Sequence, residues 1–511
     1  MLISFCILGN RTRNMWICRR QGLATIRMSS VLWTIRVVFY SLLLAPGFGY
    51  VCPYKECFCE GITIFCVGRG FNTTPEIVSH DTSDLTSLMF DMNEITHIPA
   101  DHLPANITEL TWDHNPITRV DDSAFIGSAD TLELLTFWGA RFSKLPDAIS
   151  RLKVLKYLAV YDSMVTDWNV DVMKAIGSTL KSLTLKNAGV SSSPAWIQHL
   201  SGLQELIIEG CSVSSLPDNA LDNMANNLTI ISLFNNSLFE VPKAIFKLSV
   251  LAKLNLGSNK ISDISNLPRS NLTSLILDHN NISDSHSLSS ILRSSADSLR
   301  TLTLQVNQLT SIPDLAFLSN IKKLDLTYNR ISVSNSGTMP VDMFELDLGH
   351  NLLPYIPKAM SNLSRLLDLT MVSNLVHEIT ASDFPTGVIW VHLGYNLITK
   401  LNYTTFPANS TIQYLHLNNN PINDISSNAF QNIPRLTLVN LAETEITRLP
   451  LALTSVKTLI VFDATNCTQL VCTCQEKSLG ALFLPLLRGD IHGNCGDTSI
   501  YDFFVNLSSA C

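Results

Sequence analysis

The side chains able to do chemistry in this sequence are few and scattered. The chain holds 12 histidines and 12 cysteines in 511 residues. His350, His392 and His416 come together only if the segments carrying them run side by side, and His392 and His416 then fall in one column. An aligned pair of imidazoles is either polar surface or two ligands of a metal ion, and polar surface is the simpler reading. No His-Glu-x-x-His, phosphate-binding glycine loop, Gly-x-Ser-x-Gly or glycine-rich dinucleotide turn is present. With no nucleophile, base or cofactor loop assembled, the sequence reads as a non-enzyme that needs no cofactor.

What positions these side chains is a repeat. The stretch "VIWVHLGYN" (388–396) follows the template L-x-x-L-x-L-x-x-N. The same phase recurs in "LTSLMFDMN" (85–93), "LTSLILDHN" (272–280), "IKKLDLTYN" (321–329) and "IQYLHLNNN" (412–420). Counting degenerate copies gives 17 windows from 85–93 to 459–467, with successive ninth places 21 to 27 residues apart. Ala140, Ser163, Ala188, Cys211, Thr444 and Cys467 stand where the template has Asn. Alternation over L-x-L is strand-like and turns the fourth and sixth residues to one face. One coil cannot bury that face alone, whereas stacked coils can, and they leave a parallel sheet. The Asn amide, both donor and acceptor, suits the backbone groups stranded by the turn after each strand. The pattern is identified as the leucine-rich repeat. It predicts an α/β solenoid of about 17 repeats, with a parallel sheet on the concave side and irregular, 3-10 or short-helical segments on the convex side. Cys211 and Cys467, in the Asn column eleven windows apart, are too distant to pair and read as structural thiols.

Both ends of the array carry cysteine clusters: Cys52, Cys57, Cys59 and Cys66 before it, Cys472, Cys474, Cys495 and Cys511 after it. A solenoid exposes raw core at each end and needs a lid there, and small lids rely on disulfides. Zinc is the weaker alternative for such clusters in a chain bound for an oxidising compartment. The spacing C-x4-C-x-C-x6-C, then C-x-C-x20-C-x15-C, resembles the flanking caps of extracellular leucine-rich-repeat proteins such as Slit, Toll-type ectodomains, chaoptin and the small matrix proteoglycans. The resemblance spans residues 52–511. It implies the pairs Cys52–Cys59, Cys57–Cys66, Cys472–Cys495 and Cys474–Cys511. The second cap departs from the pattern in lacking Trp-Leu after its C-x-C. A looser likeness, around "AFIGSADTLELL" (124–135), is to the non-catalytic subunit of shrimp luciferase and its arthropod relatives. Arg488-Gly489-Asp490 matches the tripeptide that integrins recognise, but a three-residue match arises easily by chance, so integrin is not the expected partner.

Residues 1–49 hold six arginines and no acid, then the apolar run "VVFYSLLLA" (37–45) and small residues. This is the order of a secretory signal, with Met28 an alternative start. The organisation expected is a signal at 1–49, an N-terminal cap at 50–84, repeats at 85–467 and a C-terminal cap at 468–511. Without the signal, 29 basic residues face 43 acidic ones, which argues against a nucleic-acid partner. No later apolar stretch is long enough to span a membrane, so a secreted or surface-tethered protein is expected. Sequons fall at Asn72, Asn106, Asn227, Asn235, Asn271, Asn281, Asn362, Asn402, Asn409, Asn466 and Asn506. Asn106, Asn227 and Asn271 share one phase just before a strand.

The third, fifth, seventh and eighth places of each window are the expected display positions on the concave face. Most are small or polar, as at Ser274, Thr301, Thr303, Lys323, Asp325, Asp368 and Thr370. Two groups differ: Trp138, Tyr157 and Tyr161, and Trp390, His392, Tyr395, Tyr414 and His416. Aromatics with a polar tip are the material of protein interfaces. An extracellular protein ligand held on the concave face is therefore the leading reading, with the second group as its main contact. A matrix or scaffold component, or a non-catalytic subunit of an extracellular complex, is the alternative.

Overall fold

The structure, a computed structural model, describes residues 52–79 and 84–506. The expected signal at 1–49, with its alternative start, and Cys511 lie outside the described residues.

Every nonapeptide window carries a strand that begins at its third place, as in Lys323–Asp325, Trp390–His392 and Tyr414–His416. These strands join a 21-stranded sheet in which neighbours follow chain order. Parallel pairing is in register place by place: Trp390 lies beside Asp368 on one side and Tyr414 on the other. Among the described residues only the terminal pairs are antiparallel, Phe58–Glu60 with Thr63–Phe65 and Ile491–Cys495 with Thr498–Ser499. The chain returns between strands through 3-10 turns and a few short helices, among them Val170–Ile176 and Ser285–Leu292. Asp284 caps the latter by accepting from the His286 and Ser287 amides.

The first, fourth and sixth places make the core: Val388, Val391 and Leu393 are fully buried, as are their counterparts along the array. The Asn column staples each coil to the one before it. Asn396 Nδ2 donates to Met371 O of the preceding coil (2.9 Å) and to Leu393 O of its own (3.1 Å). Its Oδ1 accepts from the Val376 amide at 3.0 Å. Asn329 and Asn351 repeat the arrangement. Where the template is broken, shorter side chains still donate to their own turn. Ser163 Oγ donates to Tyr161 O and Thr444 Oγ1 to Leu441 O. The Cys211 thiol donates to Glu209 O of its own turn and the Cys467 thiol to Leu441 O of the preceding coil, and neither is in a disulfide.

The eighth place behaves differently from the expectation that it displays its side chain from the strand. In every window it has positive φ, from 45° at Asp162 to 78° at Gly139, so it forms a left-handed turn just beyond the strand. That turn carries the chain round to the Asn column while still pairing with the next coil, as Tyr395 N does with Asn418 O at 2.9 Å.

Disulfides Cys52–Cys59 and Cys57–Cys66 close the N-terminal cap, and Cys472–Cys495 closes the C-terminal one. Cys474 is also disulfide-bonded, and Cys511, its expected partner, lies outside the described residues. Tyr54 fills the first lid, fully buried against Phe90 with its hydroxyl donating to His102 O. In the second lid Phe483 is packed between Phe462 and Phe504 at ring-centre distances of 5.3 Å. Glu476, 2% exposed, ties the lid to the last coil. Its carboxylate accepts from Arg448 Nε at 2.6 Å and from the Thr473 amide at 2.7 Å.

Candidate functional site

Alternation decides what the sheet shows to solvent. With the fourth and sixth places buried, the third and fifth project from the other face, and parallel register stacks them in columns across coils. Trp390 and Tyr414, at third places of adjacent strands, stack with ring centres 5.6 Å apart and planes 9° from parallel. Trp390 remains 37% exposed. His392 and His416, at the fifth places beside them, stack at 4.7 Å and 17°. Four of the five residues in the second group therefore form one contiguous patch. The fifth, Tyr395, is 55% exposed in the left-handed turn beyond the strand.

The first group is split. Trp138 and Tyr161 meet at seventh places, 5.6 Å between ring centres, and Trp138 also packs on His114. The Trp138 Nε1–H donates to Asp162 Oδ2 at 2.6 Å, so its polar tip is occupied. Tyr157, at the third place of the strand Tyr157–Tyr161, stands at the far end from Tyr161.

Burial holds the His392 imidazole below its usual value, and burial together with His392 pushes His416 down to about 4. Both are neutral at physiological pH. Their near-parallel rings keep the in-plane lone pairs from converging on one ion. Among the described residues no group of three or more His, Cys, Asp or Glu side chains is placed to hold a metal ion. Arg488 of the Arg-Gly-Asp triplet is paired with Asp502 at 2.6 Å, and the triplet forms a 3-10 turn within the cap.

Carboxylates flank the aromatic patch. Asp368 adjoins Trp390 and sits 3.8 Å from His392, while Glu345, Asp347 and Asp325 follow on the next two strands. Half-buried among these acids, Asp347 is pushed up to about 6, by burial first and then by Asp325, Asp368 and Glu345. All eleven sequon asparagines are exposed. Asn362, Asn402 and Asn409, the sequons nearest the patch in sequence, all fall outside the nonapeptide windows.

Sequence reasoning missed an apolar flank beside this face. Leu352, Leu375 and Leu397, each directly after a column Asn, are 43–48% exposed on successive coils. Beside them Tyr328 and His350 stack at 4.0 Å. The signal was legible as a leucine at the tenth place of three consecutive windows.

The leucine rich repeat family model matches residues 387–446, which include the patch. Transforming growth factor beta activator LRRC33 of Danio rerio is 23% identical over 458 residues, covering 81% of this chain and 61% of that protein. Osteomodulin of Bos taurus is 27% identical over 261 residues, covering 45% of this chain and 59% of that protein. The chain thus spans about three-fifths of the length of these relatives. Among solved structures, the Drosophila Toll–Spatzle complex aligns with TM-score 0.65 at 20% identity over 84% of this chain and 59% of that one. A leucine-rich-repeat protein of Leptospira interrogans aligns with TM-score 0.56 at 20% identity, over 82% and 93%. At such identities the structures speak for the fold alone. Repeats, caps and relatives agree: the chain is an extracellular leucine-rich-repeat protein closed at both ends by disulfide-bonded caps.

Proposed function

We propose that the protein is a recognition module that binds an extracellular protein ligand on the solvent face of its sheet, with Trp390 and Tyr414 as the anchor. The observation that carries this reading is their exposed parallel stack, flanked by His392 and His416. The core has no use for it, since Val391 and Leu415 already fill the inward positions of the same strands. Large aromatics held rigidly on a sheet lose little entropy on binding and bury much area, which is why they dominate interface energetics. Toll, similar in fold, is solved in complex with Spatzle, a protein, and that supports a protein ligand here.

The test is affinity for a partner identified by cross-linking in extracellular fluid. Trp390→Ala and Tyr414→Ala are each expected to weaken binding by about 2 kcal/mol or more while leaving secretion and melting unchanged. Full affinity in both variants, with loss in Trp138→Ala, moves the site to the N-terminal coils. Full affinity in all three removes the solvent face from the function.

A further inference from the structure

We infer that the partner presents a basic segment, arginines or lysines flanking an apolar anchor, which lies across the strands from Lys323–Asp325 to Tyr414–His416; this rests on the binding face proposed above. The fifth-place acids have a local structural role that does not require their charge. Asp325 Oδ1 accepts the Thr327 amide at 2.9 Å and Asp347 Oδ1 accepts the Gly349 amide at 2.8 Å, closing the turn after the strand. Asparagine does the same job elsewhere in the array: Asn255 accepts from Gly257 at 3.0 Å, and Asn440 from Ala442 at 2.9 Å. The turn therefore needs an acceptor and not an anion. The charge is also costly to hold, as the upward displacement of Asp347 shows. A carboxylate where an amide suffices is surplus to the fold.

That surplus is concentrated beside the stack. Along the third and fifth places from Lys323 to His416, four carboxylates (Asp325, Glu345, Asp347 and Asp368) face a single lysine. Lys323 is itself paired with Glu345. The two histidines add no positive charge at neutral pH. A row of half-buried acids running up to the Trp390 ring is complementary to guanidinium or ammonium groups. Those groups bond carboxylates and also rest on indole and phenol faces.

The experiment uses the full chain and a short peptide alternating arginine with leucine, read by fluorescence anisotropy at low and high salt. A glutamate-for-arginine counterpart serves as the opposite-charge probe. The basic peptide is expected to bind and the acidic one not. Asp325→Asn with Asp347→Asn, which keeps both turn acceptors, should weaken binding at least about tenfold at low salt, as should Trp390→Ala. Asp130→Asn with Asp171→Asn removes the same charge from side chains 73% and 91% exposed outside the strands and should change nothing. Equal loss in both double variants reduces the effect to net charge and overturns the inference, as does unchanged binding in Asp325→Asn/Asp347→Asn. If that variant keeps full affinity for the cross-linked partner while Trp390→Ala loses it, the basic-segment inference falls and the binding face stands. If Trp390→Ala and Tyr414→Ala both retain the partner, the binding face itself falls.

Discussion

A single residue in this array is judged by the column it belongs to. Asn329 bridges Leu304 O, Leu326 O and the Leu309 amide, so Asn329→Ala strands buried backbone groups. It is expected to cost about 1–3 kcal/mol in denaturant melts without changing ligand affinity at equal folded concentration. Val306 is a different case, a β-branched residue at φ 54° where its column needs a left-handed turn. Val306→Asn should raise stability by about 1 kcal/mol; a lower melting temperature would show that the valine side chain contributes more by packing than its backbone loses by strain. Asp347 gives a pH signature. Its folded value of about 6 lies above the ordinary 3.8, so between them the folded protein holds a proton that the unfolded chain has lost. Stability contributed by this group therefore falls as pH rises through that window, and the deficit is complete above it. His416, pushed down to about 4, acts oppositely and favours the folded state toward neutral pH. Asp347→Asn should accordingly melt higher than the parent at about pH 7, with the difference vanishing toward about pH 4.

Elements here are too short to stand alone: a three-residue strand such as Trp390–His392 is held by its neighbours on both sides. Stability is then passed from coil to coil, and Leu326→Ala, in a fully buried sixth place, should cost about 2–5 kcal/mol. The C-terminal lid is joined to the array through Arg448 and Glu476. Arg448→Ala leaves a buried carboxylate without its cation and should cost about 3 kcal/mol or more. Limited proteolysis offers the readout: early cleavage between the last coil and the lid is expected, and an unaltered digestion pattern would show that Phe462, Phe483 and Phe504 hold the lid without the ion pair.

At the scale of the whole molecule, the caps close an otherwise open core. Peptide mapping without reduction is expected to join Cys474 to Cys511, completing the pairing set that Cys472–Cys495 begins. Free thiols at both positions would sink that assignment. Reduction should lower the melting temperature, each lost cap disulfide costing about 2–5 kcal/mol. Between the caps the sheet turns its uncovered face to solvent, and the aromatic and acidic columns share it.

The repeat, its phase and the inward residues were legible in the sequence because burial repeats wherever the template does: Leu, Leu, Leu and Asn at fixed places leave one arrangement that buries them all. The Trp390–Tyr414 and His392–His416 columns were legible for the same reason, since parallel register carries equal places to equal positions. The fate of Tyr395, the splitting of Trp138 from Tyr157, the Arg448–Glu476 tie and the crowding of acids around Asp347 were not. Each depends on a left-handed turn, a rotamer or a field summed across several coils, and those are properties of side chains distant in sequence. Periodicity decides which face a residue joins, whereas only the stacked coils decide what it meets there.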